Sequence, residues 1–260
     1  MSQHFSFSRF ARLFRKHTAE NGRSYLMSTA VLLGGIGLVL GYVAYVNTQA
    51  MSESVQASVF SLGLLSSGAF FSSTVLAVFG RPRQATPALL LPASHLEKYL
   101  VAWLYALPIF LGVYIGCFYL MDSLILQLDD WAGPRPELVP LFSNQEQLPS
   151  ALMAYAMLSA GFLWGSIYFP KQQFMRTAFA VMLGLVVLAV LNFQADKWLV
   201  SKNLTSAIPY SAVRFQDGTA GQAHMISLSE QQAHWFGLVP LGLMLLCWAG
   251  AYVRLTEKQL

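Results

Sequence analysis

The sequence predicts an all-α, polytopic membrane protein with six transmembrane helices. The 260-residue chain is 55% apolar and only 11% charged, less than half the charged share of about 25% in ordinary globular domains. Six apolar runs also reach or approach the roughly 20 residues that a helix needs to cross a bilayer. These two observations favour an integral membrane protein over a soluble domain.

The six predicted spans form a single transmembrane domain, residues 25–260. We place them at about 25–46, 55–79, 100–120, 150–169, 177–193 and 235–253. Aromatic residues mark the span ends, as expected at the headgroup layer, and Pro108 predicts a kink in the third span. No span has an ionisable residue at its centre, which argues against a proton pump or an ion relay.

Lysine and arginine lie mostly on one side of these spans. Twelve of the sixteen fall in the N-terminal segment, in the loops after spans two and four, and at the C-terminus. The other side holds most of the acids, including Asp122, Asp129, Asp130 and Glu137. By the positive-inside rule, both termini are cytoplasmic.

The N-terminal segment, 1–24, is amphipathic. Six residues carry the pattern, aromatic on one face and basic on the other: Phe7, Phe10 and Phe14 against Arg9, Arg12 and Lys16. This pattern predicts a cytoplasmic helix that lies in the interface plane on an anionic leaflet of the bilayer. Two interpretations stay open: a simple anchor that sets the topology, or an elbow helix that frames a docking surface.

Two long outer loops are predicted, 121–149 and 194–234. In the second, His224, Glu230 and His234 are metal-ligating residue types, but no further ligand is well spaced, so a solvated loop is preferred and no metal site is predicted. Cys117 and Cys247 lie in apolar runs and are interpreted as small buried hydrophobes.

Two glycine pairs match the GxxxG spacing that lets helices approach closely: Gly37 with Gly41, and Gly161 with Gly165. Packing within one bundle is the preferred interpretation, with a subunit interface as the alternative. Span two is also rich in hydroxyls, and the candidate polar residues are Ser58, Ser61, Ser66, Ser72, Ser73 and, in span five, Asn192. The hydroxyls either line a polar pathway or bond to backbone carbonyls.

The loop between spans two and three, 80–99, predicts a rigid cytoplasmic elbow. Pro87 suits the first turn of a short helix, and Pro92 ends it. Ser94 and Glu97 then have the spacing of a capping box that starts the third span. A well-capped turn without a partner is the alternative interpretation. No phosphate-binding loop, zinc-protease motif or nucleophile elbow occurs, so an enzyme is not predicted.

The stretch "LLLPASHLEKYL" between spans two and three resembles a segment of type-2 ATP-binding-cassette (ABC) transporter permeases. The matching residues are Leu91, Pro92, Ser94, Glu97, Lys98 and Tyr99. The resemblance implies a permease that pairs with a second copy or a similar chain. It also implies two cytoplasmic ATPase subunits that hold ATP and Mg²⁺, with no cofactor in this chain. In such permeases the elbow and the N-terminal helix contact the ATPase. The implied docking residues of the elbow are Arg81, Arg83, Pro87, Leu91, Pro92, Ser94, His95, Glu97 and Lys98. In such permeases the last outer loop, here 194–234, often forms short re-entrant helices.

The expected function is therefore that of the permease subunit of an ATP-driven exporter in a bacterial inner membrane. Spans without charges favour a hydrophobic, amphipathic or lipid-linked substrate, and the bilayer itself is a partner, whereas nucleic acid is not. The alternative is a non-transporting scaffold that couples ATP hydrolysis to mechanical or regulatory work on an envelope partner. A membrane-embedded enzyme is a third interpretation, disfavoured because the spans lack catalytic groups.

Overall fold

A computed structural model describes residues 5–47, 51–76, 93–128, 138, 147–169, 171–200, 203–206, 213–216, 223–226 and 230–257. At 147, 196, 199–200, 203–206, 213–216, 223–226 and 230–237 it describes the backbone alone. The elbow residues Arg81, Arg83, Pro87, Leu91 and Pro92 lie outside the described residues.

Six helices in the described ranges are long and apolar enough to cross a membrane, which confirms the predicted number of spans. In chain order they are α1 (Phe7–Val46), α2 (Glu53–Val75), α3 (His95–Leu128), α4 (Gln147–Tyr168), α5 (Gln173–Val200) and α6 (Glu230–Glu257). The spanning part is all-α, and the chain has the build of a multi-pass membrane protein.

Successive helices run in opposite directions, so the start of α1 and the end of α6 lie at the same end of the bundle. We call this the basic end, because it holds Arg9, Lys98, Lys171, Arg176 and Arg254. At this end, the first turn of α1 meets the first turn of α3, and Tyr99 of α3 packs against Tyr252 of α6 with ring centroids 5.8 Å apart.

Helix α4 contacts α2, α5 and α6, whereas α1 packs chiefly against α3. Two apolar clusters fill the bundle. One surrounds Phe60, Tyr114 and Phe118 towards the opposite end, and the other surrounds Tyr105 and Leu163 towards the basic end. Cys117 is buried in the first cluster and Cys247 is half-buried, and both are free thiols. This agrees with their interpretation as small hydrophobes.

Helix α1 corrects the prediction of a separate interfacial helix over 1–24. It runs without a break for 40 residues, about 60 Å, or twice the thickness of a bilayer core. Its first turns therefore continue the helix of the first span and do not form a separate helix. The physical reason is tertiary: Phe10 and Phe14 pack against the cluster around Tyr105, so their apolar face is covered by protein.

Helix α3 is irregular at Pro108. It is α-helical over His95–Leu104 and Phe110–Leu128, with a π-helical turn over Tyr105–Ile109 between them. The helix also continues past the predicted end at residue 120, because Met121, Leu124, Ile125 and Leu128 keep an apolar helical spacing.

The residues between α5 and α6 form a small antiparallel sheet where the family resemblance implied re-entrant helices. Its strands, in the order β1-β2-β3, are Asn203–Ser206, Val213–Gln216 and Ala223–Ile226. Phe215 of β2 pairs with Leu204 and with His224. The strands contain Thr, Val, Phe and Ile and are separated by the turn-forming runs "AIPYSA" and "DGTAGQ", a pattern typical of a β meander.

Candidate functional site

The described part of the elbow begins α3 with the capping box that the sequence predicts. The Ser94 hydroxyl accepts a hydrogen bond from the Glu97 amide at 3.2 Å, and Glu97 Oε2 accepts one from the Ser94 amide at 3.0 Å. Both residues are buried. The bonds satisfy two of the amides that a helix start leaves unpaired.

Glu97 also binds the start of α1, which sequence reasoning missed. Its Oε1 atom accepts hydrogen bonds from the Ser6 amide at 2.8 Å and from Arg9 Nη2 at 3.2 Å. Ser6 is the N-cap of α1, and its own side chain makes no capping bond. One fully buried carboxylate thus lies between two helix N-termini, where the helix dipoles favour negative charge. We call Ser6, Arg9, Ser94 and Glu97 the Glu97 junction.

The junction changes the expectation for the docking residues. Ser94, Glu97 and Lys98 are buried, and His95 is half-buried, so Glu97 acts within the chain and is covered from any partner in this structure. The exposed residue of this turn is Leu96, with 41% of its surface accessible. The sequence carried a signal for the exposure of Leu96. This residue is one of the two in the middle of the capping box, and those residues take no part in its hydrogen bonds.

Two aromatic residues flank the Ser6 side of the junction at the surface. Phe5 is 48% and Phe7 is 75% exposed. Phe5 and Phe7 stand on either side of Ser6 in the sequence, and Leu96 immediately precedes Glu97. The hydrogen bond between Ser6 and Glu97 therefore connects the two stretches of chain that carry these three side chains. We call Phe5, Phe7 and Leu96 the tip patch. Phe7 lies beside Phe10, as the predicted apolar face implies, with ring centroids 6.4 Å apart, but Phe7 itself remains exposed.

The predicted basic face of the N-terminal segment lies beside this patch. Arg9 is used in the junction, whereas Arg12 and Arg15 are exposed. Lys16 lies 3.6 Å from Glu20 one turn later, in an exposed ion pair that contributes little to stability. Exposed positive charge thus follows the tip patch along α1.

A second set of contacts joins α1 to the π turn of α3. The Tyr105 ring stacks on Phe14 and Tyr25, with centroids 5.3 and 5.1 Å apart, and its hydroxyl is 2.6 Å from Thr18 Oγ1. His17 Nε2 lies 2.7 Å from the Tyr25 hydroxyl. The extension of α1 is thus fastened to α3 at both Glu97 and Tyr105.

The candidate pathway hydroxyls mostly bond within α2. The hydroxyls of Ser58, Ser61, Ser66 and Ser73 donate to carbonyls three or four residues earlier in the helix. This is the alternative that the sequence left open. Ser72 differs: it is fully buried and has no geometrically acceptable hydrogen bond among the described residues.

Asn192 lies on α5 in a shallow, mostly apolar groove with Gly184, Val187, Leu188, Leu191 and Ala195. Asn192 thus lies on the surface of the bundle, whereas Ser72 is buried inside it. The described residues do not connect Asn192 and Ser72 into one polar path.

The glycine pairs behave unequally. Gly165 packs directly against Thr177 of α5, where a Cβ would overlap the Thr177 side chain, whereas a Cβ at Gly161 would meet Val181 only at an ordinary distance. Gly37 packs against Met121 of α3, whereas Gly41 faces open space. Gly37 and Gly165 thus serve close packing within the bundle, which was the preferred interpretation, whereas the surroundings of Gly161 and Gly41 leave room for a side chain.

Asp122 corrects the assignment of this acid to an outer loop. It lies in α3, is fully buried, and its carboxylate makes no hydrogen bond with the described residues. Within those residues, no group of three or more His, Cys, Asp or Glu residues is placed to hold a metal ion. The side chains of His224, Glu230 and His234 lie outside the described part.

The geometry defines a multi-pass helical membrane protein with a rigid junction at its basic end. Comparisons with protein-family models, with curated proteins and with solved structures find no match to this chain.

Proposed function

We propose that this chain is the permease subunit of an ATP-driven exporter whose ATP hydrolysis takes place in two separate cytoplasmic ATPase subunits. The observation that carries the proposal is the Glu97 junction. It joins the two segments that the resemblance to type-2 ABC permeases assigns to ATPase contact, the N-terminal segment and the elbow, through bonds from Ser6 and Arg9 to Glu97. A displacement of either segment therefore moves the other.

The tip patch is the surface that we assign to the ATPase. Phe5, Phe7 and Leu96 are apolar and exposed, and the exposed Arg12 and Arg15 follow on the same helix. A partner that fits this surface has an apolar pocket with an acidic rim. Such a surface combines apolar anchors with charges that guide association.

The basic end is proposed to be cytoplasmic, which places both termini in the cytoplasm of a bacterium. The positive-inside rule supports this orientation, because the basic residues at that end include Arg9, Arg12, Arg15, Lys16, Arg23, Lys98, Lys171, Arg176 and Arg254. At the opposite end, the last turn of α5 carries Lys197.

The proposed cargo is hydrophobic, amphipathic or lipid-linked. The outer faces of α1 and α5 are apolar and open to the surroundings, because few residues of their apolar stretches are buried in the bundle. Apolar cargo that moves along such faces needs no charged group in the spans. The transporting unit is proposed to contain a second copy of this chain or a similar permease.

A scaffold that works on an envelope partner is the second candidate. The small sheet β1–β3 favours it, because it is a folded element between α5 and α6 at the end of the bundle opposite the proposed ATPase. Both helices have 28 residues, about 42 Å, and so extend beyond a bilayer core of about 30 Å. The sheet then stands clear of the membrane, where a partner can reach it.

The test is to purify the tagged chain in mild detergent from the membranes of its own host and to measure the Mg-ATP hydrolysis that accompanies it. We expect hydrolysis with the unchanged chain and its loss with Leu96→Glu. Leu128→Glu is the matched control, because Leu128 is 81% exposed at the other end of the same helix. Absence of hydrolysis with the unchanged chain, or equal hydrolysis with both variants, contradicts the proposal.

The two candidates separate after reconstitution of the purified complex into vesicles. Hydrolysis that rises when a lipid extract of the host membrane is added supports transport. Hydrolysis that ignores the extract, together with tight co-purification of an outer protein, supports the scaffold.

A further inference from the structure

Asp122 of α3 is a buried acid without a partner in the described part of the chain. None of its surface is accessible, and neither of its carboxyl oxygens makes a hydrogen bond among the described residues. Glu97, the other fully buried acid of that part, accepts hydrogen bonds from Ser6, Arg9 and Ser94. A buried carboxylate that lacks such bonds carries the full cost of its lost hydration.

The surroundings of Asp122 are apolar. Phe118 precedes it by one helical turn and packs against Phe60 of α2, with ring centroids 5.0 Å apart. Met121, the residue directly before it, packs against Gly37 of α1. The buried apolar cluster at this end of the bundle takes its residues from α1 to α4 and from the turn before α2. These four helices therefore determine which charged groups come near Asp122.

No basic residue on these helices lies near Asp122. The sequence has no Lys, Arg or His in α1 after Arg23, in α2, in α3 after Lys98, or in α4. Tyr119 lies three residues before Asp122 and interacts with it electrostatically. The titratable groups on the same half of these helices are Tyr42 and Tyr45 of α1, Glu53 of α2, Tyr114, Cys117 and Tyr119 of α3, and Tyr155 of α4. All of these are acids, so none of them supplies a positive charge to an ionised Asp122.

We infer that Asp122 is a proton-binding site. A fully buried carboxyl group without a cation or a hydrogen-bond donor is stable in its neutral form, which carries a proton. The ligand is a single proton, which passes from water to a carboxyl oxygen, and no other covalent bond changes. An ionisable residue of this kind within a membrane protein marks a functional site by default.

The proton comes from the compartment at the end of the bundle opposite the basic end. Along a helix, Asp122 lies about 37 Å from Glu97, which is more than the roughly 30 Å of a bilayer core. Leu40 and Ala44 of α1 are buried at this end, so the packing of α1 on α3 keeps water away from the carboxyl group. An ionised carboxylate needs that water, so loss of the proton favours separation of α1 from α3. The inference does not depend on the proposed function.

The first test is the melting temperature of Asp122→Asn, which keeps the shape of the side chain and does not ionise. In an unfolded chain a hydrated aspartate gives up its proton near about pH 4. The buried carboxyl holds its proton at higher pH, so the unchanged chain loses stability as the pH rises until that group also ionises. We expect the melting temperature of the variant, relative to the unchanged chain, to increase by several degrees between about pH 4.5 and about pH 8.

Glu53→Gln is the matched control. It makes the same change of charge at an exposed position in the first turn of α2. We expect its melting temperature to follow that of the unchanged chain across the pH range. A difference between Asp122→Asn and the unchanged chain that does not vary with pH overturns the proposal, as does a lower melting temperature of the variant at the higher pH.

Infrared absorption detects the proton directly, in a detergent without carboxyl groups. At about pH 5.5, where exposed carboxyl groups are ionised, we expect the carbonyl band of a protonated carboxyl group. The band should be present in the unchanged chain and in Glu53→Gln, and absent from Asp122→Asn. If Asp122→Asn does not fold, the unchanged chain decides the question. Absence of the band from its spectrum overturns the proposal, whereas a band that disappears at higher pH supports it.

Discussion

The backbone amide of Ser6 donates a 2.8 Å hydrogen bond to the carboxylate of Glu97, 91 residues further along the chain. The same carboxylate closes the capping box of α3 through Ser94 and pairs with Arg9. Glu97 is thus required locally for the capping box of α3, and it also holds the start of α1. This shared use makes Glu97 the point at which the starts of α1 and α3 are joined.

Removing the Glu97 carboxylate should destabilise the fold. Glu97→Ala leaves the Ser6 and Ser94 amides without their acceptor and Arg9 without its counter-ion, so we expect a loss of about 2–4 kcal/mol. Glu97→Gln keeps one acceptor oxygen and should lose less. Thermal unfolding of the purified chain in detergent measures both changes.

Glu257→Ala is the control for that experiment. Glu257 is half exposed and pairs with Arg254 at 2.5 Å in the last turn of α6. An exposed pair of this kind contributes about 0–1 kcal/mol. Equal melting temperatures for Glu97→Ala and Glu257→Ala would show that the junction carries no more stability than a surface ion pair.

Gly68 should not tolerate a side chain. A methyl group at this position overlaps the Tyr155 ring and approaches Phe110 to 3.3 Å, so Gly68→Ala is expected to cost about 1–3 kcal/mol by overpacking. Gly112→Ala is matched to it, because Gly112 lies in a spanning helix with open space around its α-carbon. A fluorescence melting curve compares them, and a loss in Gly112→Ala as large as that in Gly68→Ala contradicts the packing.

The GxxxG pair of α4 should be asymmetric. Gly165→Ala forces the Thr177 side chain to move, with an expected cost of about 1–3 kcal/mol. Gly161→Ala places a methyl group at an ordinary 3.7 Å from Val181 and should leave stability nearly unchanged. Resistance to unfolding in detergent measures the difference. Equal effects at the two positions would mean that the α4–α5 contact is looser than described.

The orientation predicts which surface residues a membrane-impermeant thiol reagent reaches. In a chain with Cys117 and Cys247 changed to alanine, Ser52→Cys should be labelled in intact cells, because Ser52 is exposed between α1 and α2 at the outer end. Arg12→Cys should be labelled only after the membrane is permeabilised. The reverse pattern would invert the topology and remove the cytoplasmic assignment of the tip patch.

Local chemistry in the sequence was enough to predict several features. The six spans follow from the length of the apolar runs, since a bilayer demands about 20 apolar residues from each helix. The capping box follows from Ser94 and Glu97, because its bonds join residues three positions apart. The helix ends were harder to predict. Polar residues continue α5 to Val200 and extend α6 back to Glu230, since nothing in a helix requires it to end at the membrane surface.

Features that depend on distant residues were predicted less well. The N-terminal segment has the pattern of an interfacial helix, but Phe10 and Phe14 find their apolar partners on α3 and not in lipid. The sequence did not single out Leu96 and Phe5. Their exposure beside the Glu97 junction becomes visible only once the bond between Ser6 and Glu97 is known. Asp122 was assigned to a loop because the span was ended at residue 120, although Met121, Leu124 and Leu128 keep an apolar helical spacing beyond it.

The sequence by itself determined the class of this protein, its six spans, the charge difference between its two ends and the capped start of α3. Each of these depends on composition or on residues within one helical turn. The tertiary structure alone decided that Glu97 joins two helices, that α1 runs unbroken from Phe7 to Val46, and that the Tyr155 hydroxyl donates to the Ala106 carbonyl in the π-helical turn of α3. These arrangements depend on side chains from helices far apart in the chain, whose approach is set by packing and not by local spacing.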